Sequence, residues 1–235
     1  MGGWRQRKIF GWLFANGQRI LRRFAPQDKL AALDEIAIDA SHLARRYGRR
    51  WALADVSFQL QRGKVMMVAG RNGSGKTTLL RILATAIRAD GGRATVGGFD
   101  LKQREEIRRQ SALLAHFSYL YESLSARENL SLISRDTDAA LARVGLASRA
   151  DDPVSTFSAG MRKRLSFARV LLQQPSIVFL DEPFGQLDPE GFALVEQVVA
   201  ELKQSGATVL IATHQVDRIA RLADAQLTLE NGRVQ

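Results

Sequence analysis

Cysteine is absent from the 235-residue chain. That excludes disulfides and thiolate metal centres, and it fits a reducing compartment without requiring one. Long apolar runs are missing too. A membrane-spanning helix needs roughly 20 apolar residues, whereas the uncharged apolar stretches here, such as residues 177–180, are strand-sized. Such a chain serves a membrane, if at all, from outside the bilayer. Acidic residues are scarce at one end. Residues 1–30 hold Arg5, Arg7, Lys8, Arg19, Arg22, Arg23 and Lys29 against Asp28 alone, a net +6 out of the whole chain's +10. The rest is only mildly basic, which argues against a nucleic-acid-binding surface. The whole chain is 46% hydrophobic and 25% charged, the composition of one globular domain with a proper core.

Residues 1–35 read as an appendage. Ile9, Phe10, Leu13, Phe14, Ile20, Leu21 and Phe24 recur at three- and four-residue spacing between arginines, with Trp4 and Trp12 added. A basic amphipathic helix of this kind suits an anionic membrane surface; an unstructured extension or an organellar transit peptide stays open. Arg19, Arg22 and Arg23 stand where a secretory signal needs small residues, and Gln6 breaks the myristoylation pattern.

Residues 36–235 form the main domain. Alternation and β-branched content mark strands at 38–43, 52–61 and 65–69, followed by a helix over 76–87. Glycine pairs at 91–92 and 97–98 bracket a hairpin strand. Residues 103–150 are helical in pattern, with breaks near 118–125 and at Gly145. Helices at 160–173 and 191–204 then alternate with strands at 176–180 and 207–213, and a last strand ends at Asn231-Gly232. The fold class is α/β: a mixed, mainly parallel sheet covered on both faces, a small antiparallel β subdomain, and a helical lobe inserted at about 103–165.

Gly70-Arg71-Asn72-Gly73-Ser74-Gly75-Lys76-Thr77-Thr78 satisfies G-x-x-x-x-G-K-[ST] between a strand and a helix. Glycines let backbone N–H groups turn inward around phosphate oxygens, and the helix start adds partial positive charge. Lys76 reaches the β- and γ-phosphates, and the Thr77 hydroxyl suits Mg²⁺. Farther on, four apolar residues end in Asp181-Glu182, two carboxylates at the carboxyl end of a buried strand, where open α/β sheets bind ligands. Asp181 fits Mg²⁺ and Glu182 the attacking water. Without the glycine loop, a solvated acidic pair would be the better reading.

Phe157-Ser158-Ala159-Gly160-Met161 precedes a basic helix, and the chain here resembles the ABC ATPase family, whose signature is usually L-S-G-G-Q. The resemblance covers about residues 38–235 and makes the fold a P-loop NTPase of ABC type. It implies ATP and Mg²⁺ as cofactors and hydrolysis in a dimer, a homodimer here, in which Ser158 and Gly160 close on the partner's γ-phosphate. It further implies that Tyr47 stacks on adenine, that Asp188 lies in the loop crossing the dimer, and that His214 joins the γ-phosphate to Glu182. His42 matches nothing in the family. Three departures stand out: Ala159 for glycine, Met161 for glutamine, and His116 where relatives carry a glutamine. An imidazole can still contact water or a metal ligand, with a charge that depends on pH, or it can simply pack.

His116, the run Leu124-Ser125-Ala126-Arg127-Glu128-Asn129-Leu130, the S-A-G signature and Thr213-His214-Gln215 are similar to the ATP-binding subunit of the haem exporter of cytochrome c maturation. Other exporters, of multidrug or lipid type, use similar short subunits. An integral membrane permease would be the partner, with the chain peripheral at the cytoplasmic face of the inner membrane. A soluble repair-type ABC ATPase inserts long coiled coils, yet Lys76 to Ser158 spans only 82 residues. A non-catalytic regulator would lose Lys76 or Glu182, and both are present.

Overall fold

A computed structural model describes residues 35–115 and 119–235. The basic amphipathic segment and His116 lie outside the described residues.

Two sheets organise the domain. The first is antiparallel, in the order β2-β1-β4-β5, from β1 (Ile36–Tyr47), β2 (Arg50–Gln61), β4 (Gly91–Val96) and β5 (Phe99–Asp100). The second runs β10-β9-β3-β8-β7-β6. It comprises β3 (Val65–Ala69), β6 (Ser111–Leu114), β7 (Ile177–Asp181), β8 (Thr208–Ala212), β9 (Ala225–Glu230) and β10 (Arg233–Val234). All its pairings are parallel except β10 on β9. Every residue of β3, β7 and β8 is buried, as expected of parallel strands covered on both faces.

Side chains on a strand alternate between faces, and here the alternation sorts the core into two layers. Val65, Met67, Val178, Leu180, Val209 and Ile211 pack with α5 (Ala159–Gln173) and α6 (Pro189–Gln204). Met66, Val68, Ile177, Phe179, Leu210 and Ala212 pack with α1 (Lys76–Leu83) and the antiparallel sheet. Between β5 and β6 runs α2 (Arg104–Gln110); α3 (Ala126–Ser131) and α4 (Thr137–Arg143) precede α5, and α7 (Val216–Ile219) follows β8.

Two sequence expectations need correction. Residues 111–114, read within a helical stretch, are the sheet's edge strand, with Ser111 opposite Ile177 and Leu114 opposite Leu180. Four residues are too few for a period of two to show against flanking helix formers; hydrogen bonds to β7 decide the outcome. The helix begun at Lys76 stops at Leu83 rather than 87. Thr85 takes a left-handed backbone (φ 57°), and its carbonyl accepts bonds from the guanidinium groups of Arg104 and Arg108, at 2.6 and 3.0 Å.

Within the 124–130 run, Ser125 and Glu128 form a reciprocal capping box at the start of α3. Buried Asn129 accepts the Tyr121 N–H and donates to the carbonyls of Tyr121, Leu124 and Ser125. Arg143 of α4 pairs with Glu201 of α6, tying that helix to the sheet layer.

Candidate active site

The glycine loop joins the carboxyl end of β3 to α1, and its shape depends on having no side chains at three positions. Gly70, Gly73 and Gly75 have φ of 146°, 81° and 111°. A Cβ on Gly75 would lie 2.3 Å from the Ala52 carbonyl oxygen, and one on Gly70 2.3 Å from that of Leu229. Only glycine fits between these backbones. α1 begins without a side-chain cap and without acidic residues of its own in its first turn, so its first N–H groups have no acceptor from a capping side chain.

Lys76 is 5% exposed, and its ammonium folds back to donate to the carbonyls of Gly70 (2.7 Å) and Arg71 (3.3 Å). The Ser74 hydroxyl is buried without a hydrogen-bond partner among the described residues. An orphan hydroxyl, a lysine resting on loop carbonyls and uncapped N–H groups fit an arriving polyphosphate, which would satisfy all three. Arg71 and Asn72 are exposed and Thr78 is half-buried.

The Thr77 hydroxyl donates to Asp181 Oδ1 at 2.9 Å, which brings a neutral and an anionic oxygen together at the end of β7. Such hard donors fit Mg²⁺. Glu182 leaves the strand with φ 46°, a backbone costly for a side-chain-bearing residue. Its N–H is fixed on the Ala212 carbonyl at 2.8 Å. Its carboxylate stands 3.8 Å from Lys76 Nζ and 2.9 Å from His214 Nδ1. Lys76, Thr77, Asp181, Glu182 and His214 thus form one cluster.

Ser158 and Gly160 share no hydrogen bond with that cluster among the described residues. Ser158 caps α5, accepting the Met161 N–H at 3.2 Å, and a Cβ on Gly160 would come within 3.1 Å of the Gln186 carbonyl. Asp188 caps α6 through the Gly191 N–H and receives Arg164 at 2.9 Å; those two contacts hold its carboxyl below the usual range. Tyr47 is half exposed at the end of β1, with the Arg45 guanidinium 5.0 Å from its ring centre. His42 pairs with Asp55 on the antiparallel sheet.

Two residues escaped the sequence reading. Arg50 Nη2 lies 3.5 Å from where a Gly73 Cβ would sit, beside the phosphate loop; its arrival depends on how β2 lies across the loop, which no local pattern encodes. Lys163 is buried in α5 and donates to the Glu182 carbonyl at 3.1 Å. Burial pushes its pKa down to about 8, against the pull of Asp181 and Glu182. In sequence it looked like one more charge in a basic run.

A strand, a glycine loop with its lysine, and an acidic pair ending the strand two places along a mainly parallel sheet define a P-loop nucleotide hydrolase. The chain belongs to the ABC transporter family, whose model matches residues 53–185. It is 37% identical over 212 residues to a daunorubicin resistance ATP-binding protein of Streptomyces coeruleorubidus, covering 85% of this chain and 67% of that one. It is 36% identical over 201 residues to an aliphatic sulfonates import ATP-binding protein of Mycobacterium avium, covering 85% and 80%. A solved structure of an ATP-binding subunit of an ABC transporter superposes with TM-score 0.78 at 28% identity, covering 84% of this chain and 88% of that one. The chain spans about two thirds of the length of the daunorubicin-resistance relative. It is an ATP-binding domain, and ATP hydrolysis is its activity. No described helix is long and apolar enough to cross a membrane.

Proposed function

We propose that the chain is the ATP-hydrolysing subunit of a bacterial ABC exporter of drug or lipid type, acting as a homodimer beneath an integral membrane permease. The observation that carries the mechanism is the Glu182 carboxylate, held between Lys76 and His214 at the mouth of the glycine loop. Tyr47 stacks on adenine while the N–H groups of residues 70–78 and the Lys76 ammonium hold the phosphates. Thr77 and Asp181 would hold Mg²⁺, which supplies charge neutralisation on the phosphate oxygens when bound. Glu182 orients a water for in-line attack on the γ-phosphorus, the bond to the β-phosphate oxygen breaks, and ADP and phosphate leave. His214 keeps Glu182 aimed and contacts the γ-phosphate. Ser158 and the Gly160 N–H of a second copy complete the site from across the dimer.

Exposed Tyr119 and Tyr121 suit the contact that passes closure to the permease. The chain then sits peripherally at the cytoplasmic face of the inner membrane, with residues 1–27 lying on the lipid surface. The drug-exporter reading draws on the relative named for daunorubicin resistance. Haem export rests on the motif resemblance alone, including His116, and we place it second. Purification in mild detergent tests the assembly. An integral membrane protein should co-elute with the chain, and recovery of all the chain in the soluble fraction, without a membrane partner, overturns the transporter assignment.

A further inference from the structure

Lys163 enters none of the steps above, yet it is only 6% exposed. A buried ammonium is costly, and an apolar side chain of similar length would fill the same space without that cost. Burial pushes its pKa down to about 8, although the Asp181 and Glu182 carboxylates resist the shift. A cation kept in such a place is there for what it touches: among the described residues its Nζ donates to the carbonyl oxygen of Glu182 at 3.1 Å.

That carbonyl belongs to the strained peptide of the site. Glu182 holds φ 46°, and such conformations persist only where surrounding bonds over-determine them. Three bonds act on its backbone. Its N–H donates to Ala212 at 2.8 Å, and its carbonyl accepts the Gly185 N–H at 3.2 Å and the Lys163 ammonium at 3.1 Å. The Gly185 bond closes a local turn. Lys163 reaches in from a different helix, so it fixes the turn against the rest of the fold. Rotation about the Glu182 Cα–C bond would swing its Cα–Cβ bond relative to this carbonyl and carry the carboxylate away from Lys76 and His214.

We propose that Lys163 is a positioning residue for hydrolysis, clamping the Glu182 carbonyl so that the carboxylate stays aligned with its water. The inference rests on the reading of Glu182 given above. Lys163 also shares α5 with Ser158, five residues earlier at its cap. The clamp therefore joins the residue that faces one nucleotide to the carboxylate that acts on the other.

The test is steady-state ATP hydrolysis by the full chain with Mg²⁺, comparing Lys163→Met and Lys163→Gln, each alone and combined with Glu182→Gln. Both are one atom shorter than lysine; Met loses the donor and Gln keeps one. Lys163→Met should lower kcat about ten- to a hundredfold, the scale on which small misplacements act, while KM for ATP stays within about twofold. Lys163→Gln should be intermediate. In the Glu182→Gln background, either substitution should change the residual rate by less than about twofold, since the lysine acts only through that carboxylate. Wild-type kcat in Lys163→Met overturns the proposal, and so does a loss of equal size in both backgrounds. Should Lys163→Met not fold, Lys163→Gln decides alone: a loss confined to chains with Glu182 supports the clamp, and no loss, or an equal loss in both, overturns it. Full-rate hydrolysis by Glu182→Gln would defeat the reading of Glu182 itself. Full-rate Lys163→Met beside an inactive Glu182→Gln would defeat only the clamp.

Discussion

His214 Nδ1 lies 2.9 Å from Glu182 Oε2, although 32 residues separate them. The sheet register brings them together. β7 and β8 are parallel neighbours with Asp181 opposite Ala212, so the residues that follow each strand emerge side by side. A one-residue slip would send one of the pair to the other face.

Glu182→Gln preserves shape and hydrogen bonding but removes the charge that orients water. Hydrolysis should fall at least about a hundredfold while ATP binding persists. A stable ATP-bound dimer should accumulate, visible by size-exclusion chromatography. Undiminished turnover would remove Glu182 from its role.

Ser158→Arg tests the composite site. The residue caps α5 and makes no bond to its own chain's phosphate cluster among the described residues, so monomer affinity for ATP should stay nearly unchanged while hydrolysis is abolished. Mixed with Lys76→Ala chains, it should recover at most one working site per heterodimer. Equal loss of ATP binding in the two isolated variants would refute action across the dimer.

Arg50 should add to phosphate affinity without touching chemistry. It is exposed beside Gly73, and an exposed charge of this kind is worth up to about 1 kcal/mol, or about fivefold. Arg50→Ala should weaken ATP binding by about that factor, AMP binding less, and leave kcat at saturating ATP intact. Nucleotide titrations followed by fluorescence of half-exposed Trp51 would show it. A drop in kcat with unchanged affinity would contradict this placement.

Lys163 gives stability a pH dependence of definite sign. Its pKa falls from 10.5 in the unfolded chain to about 8 in the fold. Below about 8 both states are protonated and the burial penalty is present in full. Between about 8 and 10.5 the unfolded chain binds the extra proton, so rising pH favours the fold, by about 3 kcal/mol over the window. Compared without nucleotide or Mg²⁺, the native chain should gain on Lys163→Met in melting temperature from pH 8 to pH 10. A constant difference across that range would contradict the sign.

Residues 1–27 carry most of the chain's excess charge, and basic residues near an anionic leaflet contribute about 1 kcal/mol each. The full chain should co-sediment with anionic vesicles, less as salt rises, whereas a chain starting at Asp28 should not. Equal sedimentation of the two would leave the segment without a membrane role.

The glycine loop, the acidic strand and the order of strands and helices were legible because each is written within a few consecutive residues. Period and punctuation suffice for β3, β7 and β8. The Ser111–Leu114 strand was not legible: its identity lies in hydrogen bonds to β7, more than 60 residues away. Lys163 and Arg50 were hidden for a related reason. Their types suit the surface, and only the approach of another element, β7 to Lys163 and the glycine loop to Arg50, gives them a site to serve.

Close packing behind the glycine loop has a consequence for synthesis. The Leu229 carbonyl abuts Gly70, the Gly232 N–H donates to the Ser74 carbonyl at 3.1 Å, and the Ala54 N–H donates to the Gly232 carbonyl at 2.7 Å. The loop that opens the nucleotide site is therefore braced by residues made more than 150 positions later. A chain emerging from the ribosome can build β1, β2 and α1 early, but it lacks that brace until residues 229–232 are free to fold back. Competence to bind nucleotide should thus come late in translation, and ATP should protect nascent chains from proteolysis only once those residues have cleared the exit tunnel.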